Sequence, residues 1–162
     1  MKRTTILLLS SALLFFIVAC GKKSTTETAS GDKPKSMFSA ETDQEKMIKE
    51  GYGIGEVKNV ELASPLDQSR VSRGKDIYDM KCSACHKLTE ERFVGPGWLN
   101  VTHRRKPEWI MNMITNVDVM LERDPNAQDL LKLCMTRMPN QNMSVGDARD
   151  VLEYMRQNDG EK

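Results

Sequence analysis

Three regimes of apolar and polar residues follow one another along this 162-residue chain. Residues 6–18 are apolar apart from Ser10 and Ser11, after a positive start at Lys2 and Arg3. That run is short for a membrane span and has the layout of a secretory leader, so residues 1–19 read as a signal peptide. From Gly21 to about Thr42 apolar residues almost vanish among Lys, Ser, Thr, Glu, Gly and Pro. Such a stretch cannot bury enough surface to offset its chain entropy, and it reads as a disordered tether. Beyond it the apolar residues return, mostly at helical spacing.

Residues 41–50 fit a short helix, which Gly51-Tyr52-Gly53-Ile54-Gly55 breaks. Val57, Val60 and Leu62 then suggest an extended strap that Pro65 ends. Asp67 or Ser69 caps a helix running to about Cys82, on which Val71, Gly74, Ile77, Tyr78 and Lys81 fall three and four apart. Gly95-Pro96-Gly97 is a turn, and Pro107 suits the first turn of a helix continuing through Trp109, Ile110, Met113 and Ile114. Another helix runs from Pro125 or Asn126 to about Met135, with Leu130, Leu131 and Cys134 as its apolar stripe. After a loop at 139–142, Ser144 caps a last helix, with Asp147 at its third position as a short stand-in for glutamate. Val145, Ala148, Val151, Leu152 and Met155 give that helix an inner face. No strand pairs or repeats emerge. The predicted fold class is all-α: a leader at 1–19, a tether and strap at 20–66, and a helical domain at 67–159.

Chemistry enters with Cys82-Ser83-Ala84-Cys85-His86. Two thiols one helical turn apart match the spacing needed to add across the two vinyl groups of one haem, and a histidine directly after them reaches the iron. This is the attachment signature of a c-type haem. A thioredoxin-like site would want a strand before it and a βαβ context. A zinc site would need further ligands, and only Cys134, the two histidines and acids remain. His103 follows His86 by 17 residues in a basic run, Thr102-His103-Arg104-Arg105-Lys106. It reads as a solvated turn rather than a second axial ligand. Arg104, Arg105 or Trp109 is then available to a haem propionate. Cys134, among Leu130, Leu131, Leu133 and Met135, reads as a buried, inert thiol.

From 67 to 158 the chain resembles the monohaem class I cytochrome c family. The resemblance rests on Gly74 and Tyr78 in the first helix, the Cys-Ser-Ala-Cys-His run, Val94-Gly95-Pro96, a Met138-Pro139 loop, and Val151 and Tyr154 in the final helix. It implies a class I cytochrome c fold, in which the first and last helices cross at a glycine beside aromatic residues. It also implies that the Pro96 carbonyl accepts the ring N–H of His86. Among 11 methionines, Met138 is the best candidate for the sixth ligand. It precedes a proline in a turn-rich loop, lies 52 residues after His86, and has a capped helix directly behind it. Met135 and Met143 are its rivals. The predicted haem contacts are therefore Cys82, Cys85, His86, Met138, Pro96 and Trp98, with His86 and Met138 on the iron. Met143, Val94 or Trp98 would rim a docking edge.

Ile17-Val18-Ala19-Cys20-Gly21 resembles the lipobox of bacterial lipoproteins. That implies a lipidated Cys20 and a membrane-tethered haem domain in the periplasm, since two or more acyl chains anchor stably. The residues after Cys20 do not choose between inner and outer membrane. If 21–66 were fully flexible, its root-mean-square reach would be roughly 35–40 Å. Without the leader, 22 basic face 23 acidic residues, and nothing in that balance suggests nucleic acid.

Histidine and methionine together fill the iron's coordination and leave no position for a small-molecule substrate. The expected function is therefore electron carriage between protein redox partners rather than an enzyme's. Two other readings stand beside it: a haem enzyme or gas sensor with an open or labile sixth site, and a fixed haem subunit of a larger reductase. Gly53-Ile54-Gly55, residues 104–114 and the 138–142 loop further resemble bacterial lipoprotein cytochromes linked with nitrous oxide respiration. That resemblance implies a periplasmic reductase as acceptor; a terminal oxidase is the alternative.

Overall fold

The computed structural model describes residues 42–162. The leader, Cys20 and the segment up to residue 41 lie outside the described residues. Helices account for all the regular structure, with no strand among the described residues, so the fold is all-α as expected. No helix among them is long and apolar enough to cross a membrane.

Helix α1 (Asp43–Lys49) opens with a capping box in which Thr42 and Glu45 satisfy each other's backbone N–H groups. Helix α2 (Gln68–Ile77) is capped by Asp67, whose side chain accepts from the N–H groups of Ser69 and Arg70. It then widens into one π-helical turn, Tyr78–Cys82, where the Ser83 N–H reaches back five residues to the Tyr78 carbonyl. The sequence predicts a single helix to Cys82. The π turn redirects the last residues before Cys85 and His86.

Helix α3 (Val101–Arg104) and α4 (Pro107–Thr115) follow, the latter with proline in its first turn. Helix α5 (Val117–Arg123) is not evident from spacing, because α4 and α5 form one apolar pattern divided only at Asn116. Asn116 leaves the helical region at φ −134° and its side chain donates to the Ile54 carbonyl. That long-range bond supplies a partner for the Ile54 carbonyl at the break. Helix α6 (Pro125–Cys134) is capped by Asp124 and ends at Met135, which takes a left-handed φ of 53°. Helix α7 (Val145–Asn158) carries the expected Ser144–Asp147 capping box.

The core forms where α2 crosses α7. Gly74, Val71, Ala148, Val151, Leu152 and Tyr154 meet there, and Tyr78 stacks within 5.6 Å of Tyr154 and 5.0 Å of Trp98. The strap belongs to the same body. Ile54, Val57 and Leu66 are buried, and the described residues form one compact unit. Fully buried Asn112 holds the strap through three hydrogen bonds, accepting from the Val57 N–H and donating to the carbonyls of Tyr52 and Val57. The reach computed for a flexible 21–66 segment is therefore too long, because residues 42–66 are held against the helices by apolar contact and these bonds.

Candidate functional site

The π turn delivers Cys82, Cys85 and His86 into a short 3₁₀-like bend, in which the Cys85 and His86 N–H groups both donate to the Cys82 carbonyl. The chain from 87 to 99 then folds back on this bend. Gly95 N–H donates to the Cys85 carbonyl at 2.9 Å, and Trp98 N–H to the Lys87 carbonyl at 2.8 Å. This return brings the Pro96 carbonyl 2.8 Å from His86 Nδ1. A carbonyl only accepts, so Nδ1 carries the proton and Nε2 is left with its lone pair. The Tyr78 hydroxyl donates to the His86 carbonyl at 2.8 Å, and Trp98 packs its ring 5.4 Å from the imidazole. Burial lowers the His86 pKa, with the Pro96 bond working in the opposite direction, so the ring is held neutral. Burial also pushes the Cys82 thiol up to about 11.

The fit behind His86 is close. A Cβ at Gly95 would lie 2.4 Å from His86 Cε1, so only glycine lets this strand of chain pass the imidazole.

Cys82, Cys85 and His86 face a cavity enclosing about 1460 Å³ of unfilled space, part of it open to solvent. Its walls are mostly apolar, from Trp109, Ile110, Met113 and Ile114 of α4, Leu121 of α5, and Leu130 and Leu131 of α6. Pro96, Trp98, Met138 and Met143 line it too. The structure thus brings together Cys82, Cys85, His86, Pro96, Trp98 and Met138. Met135 does not line the cavity and is 85% exposed at the end of α6, which removes it as a rival to Met138. Met143 borders the cavity from the same loop as Met138, and both are half-buried against the core. Trp98 is 7% exposed, so it cannot rim a docking edge; aromatic packing with Tyr78 draws it inward. Cys134 is half-buried and borders the cavity rather than lying sealed in the core.

Arg104 and Arg105 both reach the wall. Arg104 is tied to the carbonyls of Leu99 and Asn100, and Arg105 lies 4.8 Å over the Trp109 ring. His103 is exposed, as expected, but it lies on α3 rather than in a turn. Among the described residues no three His, Cys, Asp or Glu side chains converge as a metal cluster. Spacing alone does not reveal the Tyr78 bond to the His86 carbonyl, since the π turn sets it. Asn112 did leave a signal: it is the one polar residue inside the apolar run 109–114.

Known proteins share this architecture. The family model described as Cytochrome c matches residues 71–159. A solved cytochrome c from Rhodothermus marinus is 38% identical with a TM-score of 0.65, covering 72% of this chain and 97% of its own. An engineered R. marinus cytochrome c bound to a carbene intermediate is 36% identical at a TM-score of 0.61, with 72% of this chain and 98% of that one covered. A cytochrome c-553-like protein of Synechocystis sp. is 27% identical over 63 residues. That match spans 38% of this chain and 60% of that relative's length.

Proposed function

Since the chain belongs to the cytochrome c family and carries covalently attached haem c, we propose that it is a membrane-tethered periplasmic carrier of single electrons. In this reading His86 and Met138 would both be ligands of the haem iron. The observation that carries it is the position of Met138, half-buried on the loop between α6 and α7 and lining the same cavity as Cys82, Cys85 and His86.

The residues present fit the group. Both thiols and the His86 ring border one large apolar cavity, and the Pro96 bond leaves Nε2 as the donor nitrogen. When bound, the haem supplies a one-electron couple at its iron. Cys82 and Cys85 would hold it by thioether bonds, His86 would give a neutral nitrogen, and Met138 would give a soft thioether sulfur that favours ferrous iron. The apolar walls exclude water. Arg104 and Arg105 offer positive charge at the wall for the propionates. With His86 and Met138 both bound to the iron, no position would be left for a substrate, which supports a carrier rather than an enzyme.

Lipid on Cys20 keeps the domain at the membrane, between a membrane donor and an acceptor. The resemblance to lipoprotein cytochromes of nitrous oxide respiration supports a periplasmic reductase in the acceptor role. The visible spectrum of the oxidised holoprotein tests the ligand assignment. The long-wavelength charge-transfer band of thioether-ligated ferric haem disappears in Met138→Ala and persists in Met143→Ala. Rapid carbon monoxide binding by the native ferrous protein would instead favour the enzyme or sensor reading.

A further inference from the structure

Among the described residues Asp124 and Glu108 are the buried acids without an ion pair, and Asp124 is the more deeply buried. It is 0% exposed, yet no cation pairs with it among the described residues. By contrast, Asp150 and Glu153 of α7 are each flanked by two guanidiniums. Both donors to Asp124 converge on one oxygen: the Trp109 indole Nε1–H at 3.0 Å and the Ala127 N–H at 2.9 Å both reach Oδ1. The other oxygen, Oδ2, is buried and makes no hydrogen bond among the described residues.

Capping α6 accounts for the Ala127 bond but not for an acid at this position. Asparagine or serine caps a helix as well without bringing a charge into the core. The second bond gives the acid a different connection. Trp109 is part of the cavity wall and only 4% exposed, so a single indole separates Asp124 from the redox site. Arg105, which also reaches the wall, lies 4.8 Å over the same ring.

We propose that Asp124 is a positioning residue that fixes the Trp109 indole in the cavity wall and, as a buried anion behind it, lowers the reduction potential of the haem. Charge interactions in the water-poor interior act over several ångströms with little screening. An anion there stabilises the ferric form, which carries one more positive charge than the ferrous form. It thus opposes the upward pull of methionine and the apolar walls.

This inference rests on the one-electron couple assigned above. The test is the midpoint potential of the holoprotein in Asp124→Asn, which keeps the size and the capping oxygen but removes the charge. Asp124→Ser serves as a second neutral cap. Both variants are expected to titrate at a higher potential than wild type, with a shift that survives raising the salt from low to high. An unchanged or lowered potential, or a shift that salt abolishes, overturns the proposal. Should neither variant hold haem, the wild-type redox-difference infrared spectrum decides. A carboxylate band that responds to the redox change supports the proposal, and its absence overturns it. Failure of the underlying reading looks different, because the wild-type protein itself would then lack a reversible one-electron couple.

Discussion

Gly74 and Asp150 meet where α2 crosses α7, so closely that a Cβ at position 74 would lie 2.1 Å from the Asp150 carbonyl oxygen and 2.9 Å from Tyr154 Cβ. Neither neighbour is the yielding end of a long side chain. Gly74→Ala gains roughly 1 kcal/mol of helix propensity, but it must push the helices apart across the centre of the core. Overpacking of this kind costs typically about 1–3 kcal/mol, occasionally more. The holoprotein variant is expected to unfold at lower denaturant than wild type, and equal midpoints would refute the close-contact argument.

Gly95 has the same relation to His86. A Cβ there would sit 2.4 Å from Cε1, 2.8 Å from Nδ1 and 2.9 Å from Nε2. Gly95→Ala should therefore tilt the imidazole or pull the Pro96 carbonyl off it. The expected result is an altered spin state in the visible spectrum, or poor haem retention. Gly146 is the control, since the nearest atom to its added Cβ is Ser144 Oγ at 3.6 Å. Gly146→Ala should leave the spectrum unchanged.

Asn112 fastens the strap. Its side chain is fully buried, and Asn112→Ala strands the Val57 N–H together with the Tyr52 and Val57 carbonyls. A buried polar group left without a partner costs about 1–3 kcal/mol. Local opening of the strap would relieve part of that cost, so a net loss of about 2–3 kcal/mol is expected. Hydrogen exchange should place the new opening at residues 52–60. Protection there equal to wild type would mean that apolar contact alone holds the strap.

The helix starts were legible because they depend on local chemistry. Asp67, Pro107 and Ser144 each mark one, and all three sit where capping and proline rules place them. Cys82, Cys85 and His86 were legible for the same reason, being neighbours in sequence. What stayed hidden depends on partners far along the chain. The break at Asn116 answers to Ile54, 62 residues away. The strap looked like linker because its few apolar residues gain meaning only against α4 and α5. Trp98 reads as an exposed edge residue until Tyr78 and His86 are placed beside it. The bond between Trp109 and Asp124 has no local signature.

Acid should loosen the α2–α7 crossing through Asp150. Burial acts to raise this carboxyl's pKa, but the hydrogen bonds and charges of Arg73 and Arg70 outweigh it and hold the group below the ordinary value of 3.8. The native contacts are Arg73 Nε at 2.6 Å and Arg70 Nη1 at 2.8 Å. A depressed native pKa means the folded state favours the anion more than the unfolded chain does. The resulting stability is complete above the unfolded value, and it is lost as pH falls from about 4 through the lower native pKa. Asp150→Asn removes that contribution at every pH. Because the two guanidiniums are 36% and 53% exposed, its cost at neutral pH should be about 1–2 kcal/mol rather than the larger penalty of a fully buried pair. Urea midpoints for wild type and variant should therefore converge as pH is lowered below about 4. A gap that stayed constant down to acid would mean that packing, not charge, makes Asp150 matter.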